Sequence, residues 1–146
     1  MGTEPDVILP VPDEVGTADS GGVRVAWKRF GAGARTVLFV PTWNLVDSRS
    51  LRHQVDALRG RFRVITFDAR GSGESGRPAT GYGFGEHVAD AVAVMEASGT
   101  SSAAVVTASR GASTAVLLAT RHPALVERLV LVAPALNVEE ATGPDE

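Results

Sequence analysis

A serine stands between an apolar run and a helical pattern in Val105-Val106-Thr107-Ala108-Ser109-Arg110-Gly111-Ala112-Ser113. A hydroxyl at the apex of a tight strand-to-helix turn is lifted clear of a sheet. The amide of the next residue, at a helix N-terminus, then faces the charge that develops on an attacked carbonyl oxygen. Those are the parts needed for nucleophilic attack on an acyl group. Small residues two before and two after the serine let strand and helix cross closely. Gly111 fills the second place, while Thr107 stands where a glycine is usual, so the string is T-x-S-x-G. Taken alone, it favours a plainer reading, a serine that caps a helix.

A serine is a weak nucleophile without a base, and the chain has three histidines, His53, His87 and His122. His53 falls in one helical pattern and His87 in the next, while His122 belongs to a His-Pro helix end. None is placed by the sequence at the end of a strand beside Ser109, so each reads as structural or surface. Glu139 and Glu140 are adjacent acids in a polar tail and read as solvated. With no cysteine, thiolate metal sites and disulfides are excluded. Neither a metal nor a cofactor is expected. Gly71-x-Gly73-x-x-Gly76 spells a dinucleotide fingerprint after an apolar run, but that fingerprint needs a helix to open at once. Arg77-Pro78-Ala79-Thr80-Gly81 follows instead, and nucleotide binding is not expected.

The elements that must carry these residues alternate. Val23–Phe30 has the period-two pattern of a half-buried strand, and Val37–Val40, Phe62–Phe67, Ala103–Thr107 and Leu129–Ala133 are apolar runs of covered strands. Between them lie helical patterns: one capped by Ser48 or Ser50 with Leu51, Val55 and Leu58 on one face, one from Gly85 to Ala97, and one from Gly111 to Arg121. Strands separated by helices make βαβ units. The expected class is α/β, a three-layer sandwich with a mostly parallel sheet. Residues 1–21 read as a mobile lead-in with one edge strand at Val7–Leu9, residues 22–136 as the domain, and residues 137–146 as an acidic tail.

Composition bounds the rest. The 146 residues are 44% hydrophobic with a net charge of −3, which suits one domain or one piece of a larger one. Non-specific nucleic-acid binding needs clustered positive charge and is not expected. No apolar stretch is long enough to span a bilayer, and the acidic first residues do not form a signal peptide. A cytoplasmic location with no membrane partner is the expectation.

In order and spacing, three segments resemble the N-terminal half of the α/β-hydrolase fold over about Gly22 to Leu136: Pro41-Thr42-Trp43-Asn44, Asp68-x-Arg70-Gly71-x-Gly73-x-Ser75 and the Ser109 turn. Pro41-Thr42 sits where many relatives carry His-Gly. Arg121-His122-Pro123 through Leu131 resembles the family's third helix running into strand six. The Pro-Thr-Trp loop is similar to a subgroup often fused to nucleotide-cyclase or other signalling domains. The resemblance implies that Ser109 is the nucleophile and that the backbone amides of Trp43 and Arg110 form the oxyanion hole. It implies that Asp68, Arg70, Gly71, Gly73 and Ser75 shape a turn beside the pocket as structure.

In the family the acid follows strand six or seven, the histidine follows strand eight, and a lid lies between strands six and seven. This chain ends little more than a dozen residues past strand six, and neither triad acid nor histidine is identified in it. The resemblance therefore implies a serine-nucleophile hydrolase of ester-like or other acyl substrates, in a fragment lacking the lid and strands seven and eight. This chain alone is expected to be inactive. The alternative is a non-catalytic sensory or interaction module derived from the same fold. The expected partners of this chain are a small acyl substrate, if it is active, and, at the exposed edge of strand six, either a second copy of itself or a partner chain.

Overall fold

Residues 8–42 and 46–136 are described by the structure, a computed structural model. Alternation along Val23–Phe30 (β2) sends Val25 and Trp27 to one face of a sheet and Phe30 to the other. The same division runs through Thr36–Phe39 (β3), Arg63–Phe67 (β4) and Ala103–Ala108 (β5). Leu38, Ile65 and Val105 join the core under Phe84–Ala97 (α2) and Gly111–Arg121 (α3). Val37, Phe39 and Val64 join the core under Arg52–Leu58 (α1), where Val55 is the buried helical residue. Helices thus cover both faces, and the molecule is the three-layer α/β sandwich expected.

With Glu14–Ser20 (β1) and Val126–Val132 (β6), the six strands lie in the order β1-β2-β4-β3-β5-β6. β1 and β2 are antiparallel, β2 and β4 antiparallel, and β4, β3, β5 and β6 parallel. The chain leaves β3 through α1 to β4 on one side, then crosses back through α2 to β5 on the other. That reversal puts a crevice at the carboxyl ends of β3 and β5, where open α/β sheets bind ligands.

Several expectations are corrected. The stretch 14–20, read as lead-in, is strand β1, closed onto β2 by Gly21 and Gly22, both with positive φ (59° and 88°) as a two-residue hairpin of this hand requires. Its buried positions are the small Ala18 and Ser20, with Gly16 lying directly under the Trp27 ring. Hydropathy does not show such a face. No strand includes Ile8 or Leu9, while Val7 lies outside the described residues. Neither Ser48 nor Ser50 caps the first helix. A 3-10 turn, Ser48–Leu51, precedes α1, and the Asp47 carboxylate caps it by accepting from the Arg49 amide at 2.9 Å. The sixth strand begins at Val126, three residues before the apolar run suggests. The acidic tail, 137–146, lies outside the described residues.

Candidate functional site

β5 ends at Ala108, and the chain turns into α3 through Ser109, one of only two non-glycine residues with positive φ among those described (φ 50°). An L-residue in this region costs about 1–2 kcal/mol, so the surroundings must hold it. They do so through the backbone. The Ser109 amide donates to the Val132 carbonyl at 3.0 Å, and its carbonyl accepts from the Ala112 and Ala135 amides at 3.1 and 3.0 Å. Ser109 is exposed, the N-cap position of α3 belongs to Arg110, and no side chain caps that helix. The plain capping reading of Ser109 therefore does not hold. Among the described residues the Arg110 amide donates to no backbone carbonyl.

The two positions flanking the serine interlock. The buried Thr107 hydroxyl donates to the Val40 carbonyl at 2.9 Å, tying the end of β5 to the end of β3. A Cβ on Gly111 would run into the Thr107 hydroxyl and the Pro41 carbonyl, so glycine is required there by close approach.

At the carboxyl edge of the sheet lies a cavity of about 390 Å³. Val40, Pro41 and Thr42 wall it from the end of β3, and Phe67 and Ala69 from the end of β4. Arg110, Gly111 and Thr114 close it from α3, and Tyr82, Phe84 and His87 from the start of α2. The Arg110 guanidinium lies 5.3 Å from the centre of the Phe84 ring, a cation–π distance that holds its charge at the rim.

His87 is the histidine that sequence reasoning misplaced. A crossover helix starts at the carboxyl edge and runs back down, so the first turn of α2 faces the cavity. That direction was the available signal. Burial lowers the His87 pKa below its usual value, against the opposing pull of Asp90. No hydrogen bond joins it to Ser109. His53 is exposed on α1, and His122 sits past the far end of α3.

The turn after β4 is built from hydrogen bonds. The buried Asp68 carboxylate accepts from the Ser48 amide at 2.8 Å and the Glu74 amide at 2.9 Å. Ser75 donates to the Asp68 carbonyl at 2.7 Å and accepts from the Ala26 amide at 2.9 Å. Gly71 and Gly73 both take positive φ in this turn. Arg70 grips Asp90 of α2 with two bonds, 2.8 and 2.6 Å, and holds the Gly81 carbonyl at 2.7 Å. These contacts fix the loop that carries Tyr82 over the cavity. The Gly71 amide bonds the Gly76 carbonyl at 2.8 Å, and α2 begins only at Phe84, so no helix N-terminus meets the glycine string. No group of His, Asp and Glu that could hold a metal is found among the described residues, and no described helix is long and apolar enough to cross a membrane. Trp43, Glu139 and Glu140 lie outside the described residues.

A family model for the alpha/beta hydrolase fold matches residues 35–146. Among solved structures, the enol-lactonase from Burkholderia xenovorans LB400 is similar at 28% identity with a TM-score of 0.76, over 82% of this chain and 47% of that one. A variant epoxide hydrolase of Vigna radiata is similar at 28% identity and TM-score 0.76, over 84% of this chain and 39% of that one. An enzyme described as degrading N-acyl homoserine lactones is similar at 28% identity and TM-score 0.77, over 82% and 45%. This chain spans less than half the length of each.

Proposed function

The chain belongs to the α/β-hydrolase fold family, and on that premise we propose that it carries the nucleophile of a serine hydrolase acting on ester-like or other acyl substrates. The observation that supports this most is Ser109 itself. It is exposed and held at a positive φ where strand turns into helix, a conformation that costs energy and does nothing for capping. Its hydroxyl would attack the acyl carbonyl. The Arg110 amide, together with that of Trp43 as the family resemblance implies, would receive the oxyanion. The cavity between β3, β4, α2 and α3 would take the acyl group. The acid and the histidine base would come from outside the described residues. Lactone, epoxide and acyl-lactone chemistry belongs to the three similar structures, and the substrate class here is kept to acyl compounds.

Intact-mass analysis after treatment with a fluorophosphonate tests the reading, alongside turnover of a simple aryl ester. We expect slow, single-site labelling at Ser109, abolished in Ser109→Ala. Ester turnover by the 146-residue chain should not exceed that of the same variant, because oxyanion donors without a base leave only residual catalysis. Labelling spread over other serines, or unchanged in Ser109→Ala, would sink the assignment.

The second reading is a non-catalytic sensory or interaction module on the same fold. What favours it is that no histidine bonds Ser109 among the described residues. Under that reading Ser109 does not label at all.

A further inference from the structure

We propose that the α1 face of the sheet carries a second binding site, which takes a small amphipathic carboxylate. A cavity of about 300 Å³ lies there, sharing no lining residue with the one at the carboxyl edge of the sheet. That volume is at the small end of the range of about 300–1,000 Å³ in which proteins bind small molecules. Leu9 and Pro10 roof it, Phe30 floors it from β2, and Val55 closes it from α1. Pro10 and Pro12 in that roof have no N–H with which to pair as a further strand. Its apolar rim is open to solvent, with Val11 77% exposed.

The charge at this cavity is positive and partly uncommitted. Lys28, Arg49 and Arg52 all line it. Arg49 is paired with Asp47 at 2.5 Å, and Lys28 faces Glu74 at 3.8 Å. Arg52 takes part in no ion pair among the described residues. Its Nε lies buried without an acceptor, so a ligand in the cavity would meet the terminal nitrogens of the guanidinium. A planar carboxylate matches the edge of a guanidinium. An alkyl tail on that carboxylate would cover Phe30, Val55 and Leu9. One uncommitted cation against apolar walls fits a monoanion with a tail better than a bare dianion.

Backbone amide NMR shifts of the 146-residue chain, titrated with sodium octanoate, test the site. Saturable shifts are expected at Leu9, Lys28, Ser48 and Arg52, with octanol and inorganic phosphate each binding about tenfold more weakly. Arg52→Gln should weaken octanoate about tenfold, and Arg52→Lys should retain most of the affinity. Shifts confined to Thr42, Gly111 and Thr114 would place the ligand in the other cavity and overturn the proposal. So would equal binding of octanol, or an unchanged affinity in Arg52→Gln. Should that variant fail to fold, Leu9→Asp puts a repelling charge at the rim without touching α1. Octanoate binding unaffected by that change would be equally fatal.

Discussion

The Thr107 hydroxyl and the Val40 carbonyl are 2.9 Å apart, and this buried bond ties the end of β5 to the end of β3 just beneath the serine turn. Where a glycine is usual, the chain has a side chain that bonds across the sheet. Gly111 then cannot carry a side chain, since a Cβ would meet that same hydroxyl. Thr107→Val keeps the shape and leaves the Val40 carbonyl without its partner. We expect a loss of about 1–3 kcal/mol, the cost of a buried acceptor left unpaired, read from urea unfolding. A variant as stable as the parent would mean the bond does not hold the turn.

Strain at Ser109 is measurable apart from chemistry. Glycine takes positive φ freely but adds entropy to the unfolded chain. The first effect is about 1–2 kcal/mol and the second about 0.4–1 kcal/mol, so Ser109→Gly should stabilise the protein by about 1 kcal/mol. Ser109→Ala keeps the strain and should be close to neutral. Both should lose fluorophosphonate labelling. A serine variant set in which glycine is the least stable member would contradict a strained turn.

His87 gives a pH dependence with a definite sign. Burial lowers its folded pKa below the reference 6.5; Asp90 and Glu86 work against that shift, and Arg70 and Arg110 with it. Below pH 6.5 the unfolded chain binds a proton that the folded chain still refuses, so stability falls as pH falls, until the folded pKa is passed. The contribution is fully present above the reference value. Urea midpoints at pH about 7.5 and about 5.5 should therefore differ more in the parent than in His87→Gln. Identical slopes would show that the imidazole is freely hydrated.

These sites differ in how far the sequence exposes them. β2 through β6 and the two long helices were legible because large apolar residues recur at strand and helix periods. Ser109 was legible because glycine and serine at fixed offsets mark a turn. β1 was hidden because its inward face is built from the small residues Gly16, Ala18 and Ser20, with Gly16 lying against the Trp27 ring. The place of His87 depends on which way α2 runs relative to the sheet, a property of topology and not of the local string. The pairing of Arg70 with Asp90 joins residues twenty positions apart on a loop and a helix. No periodicity marks such a contact. Asp47 displaced two serines as the cap because a carboxylate there also pairs with Arg49.

The edge of the sheet carries the remaining expectation. Among the described residues β6 pairs with β5 alone, and it stands last in the strand order. Leu129, Val130 and Val132 are exposed along it at 37%, 47% and 55%. Glu127 and Arg128 charge the start of the strand, but Leu129 to Val132 runs apolar without lysine or proline, and such a stretch of edge is a template for another strand. The 146-residue chain is therefore expected to associate with a second copy through β6, with light scattering that rises faster than concentration. Leu131 packs against the core and is a poor place to interrupt this pairing. Val130 is half-exposed, and Val130→Lys puts on the edge the charge that natural edges use to block pairing. That variant should scatter as a monomer with its melting cooperativity kept. A parent chain that is already monomeric at high concentration would show that the β6 edge is covered, and the pairing expectation would fail.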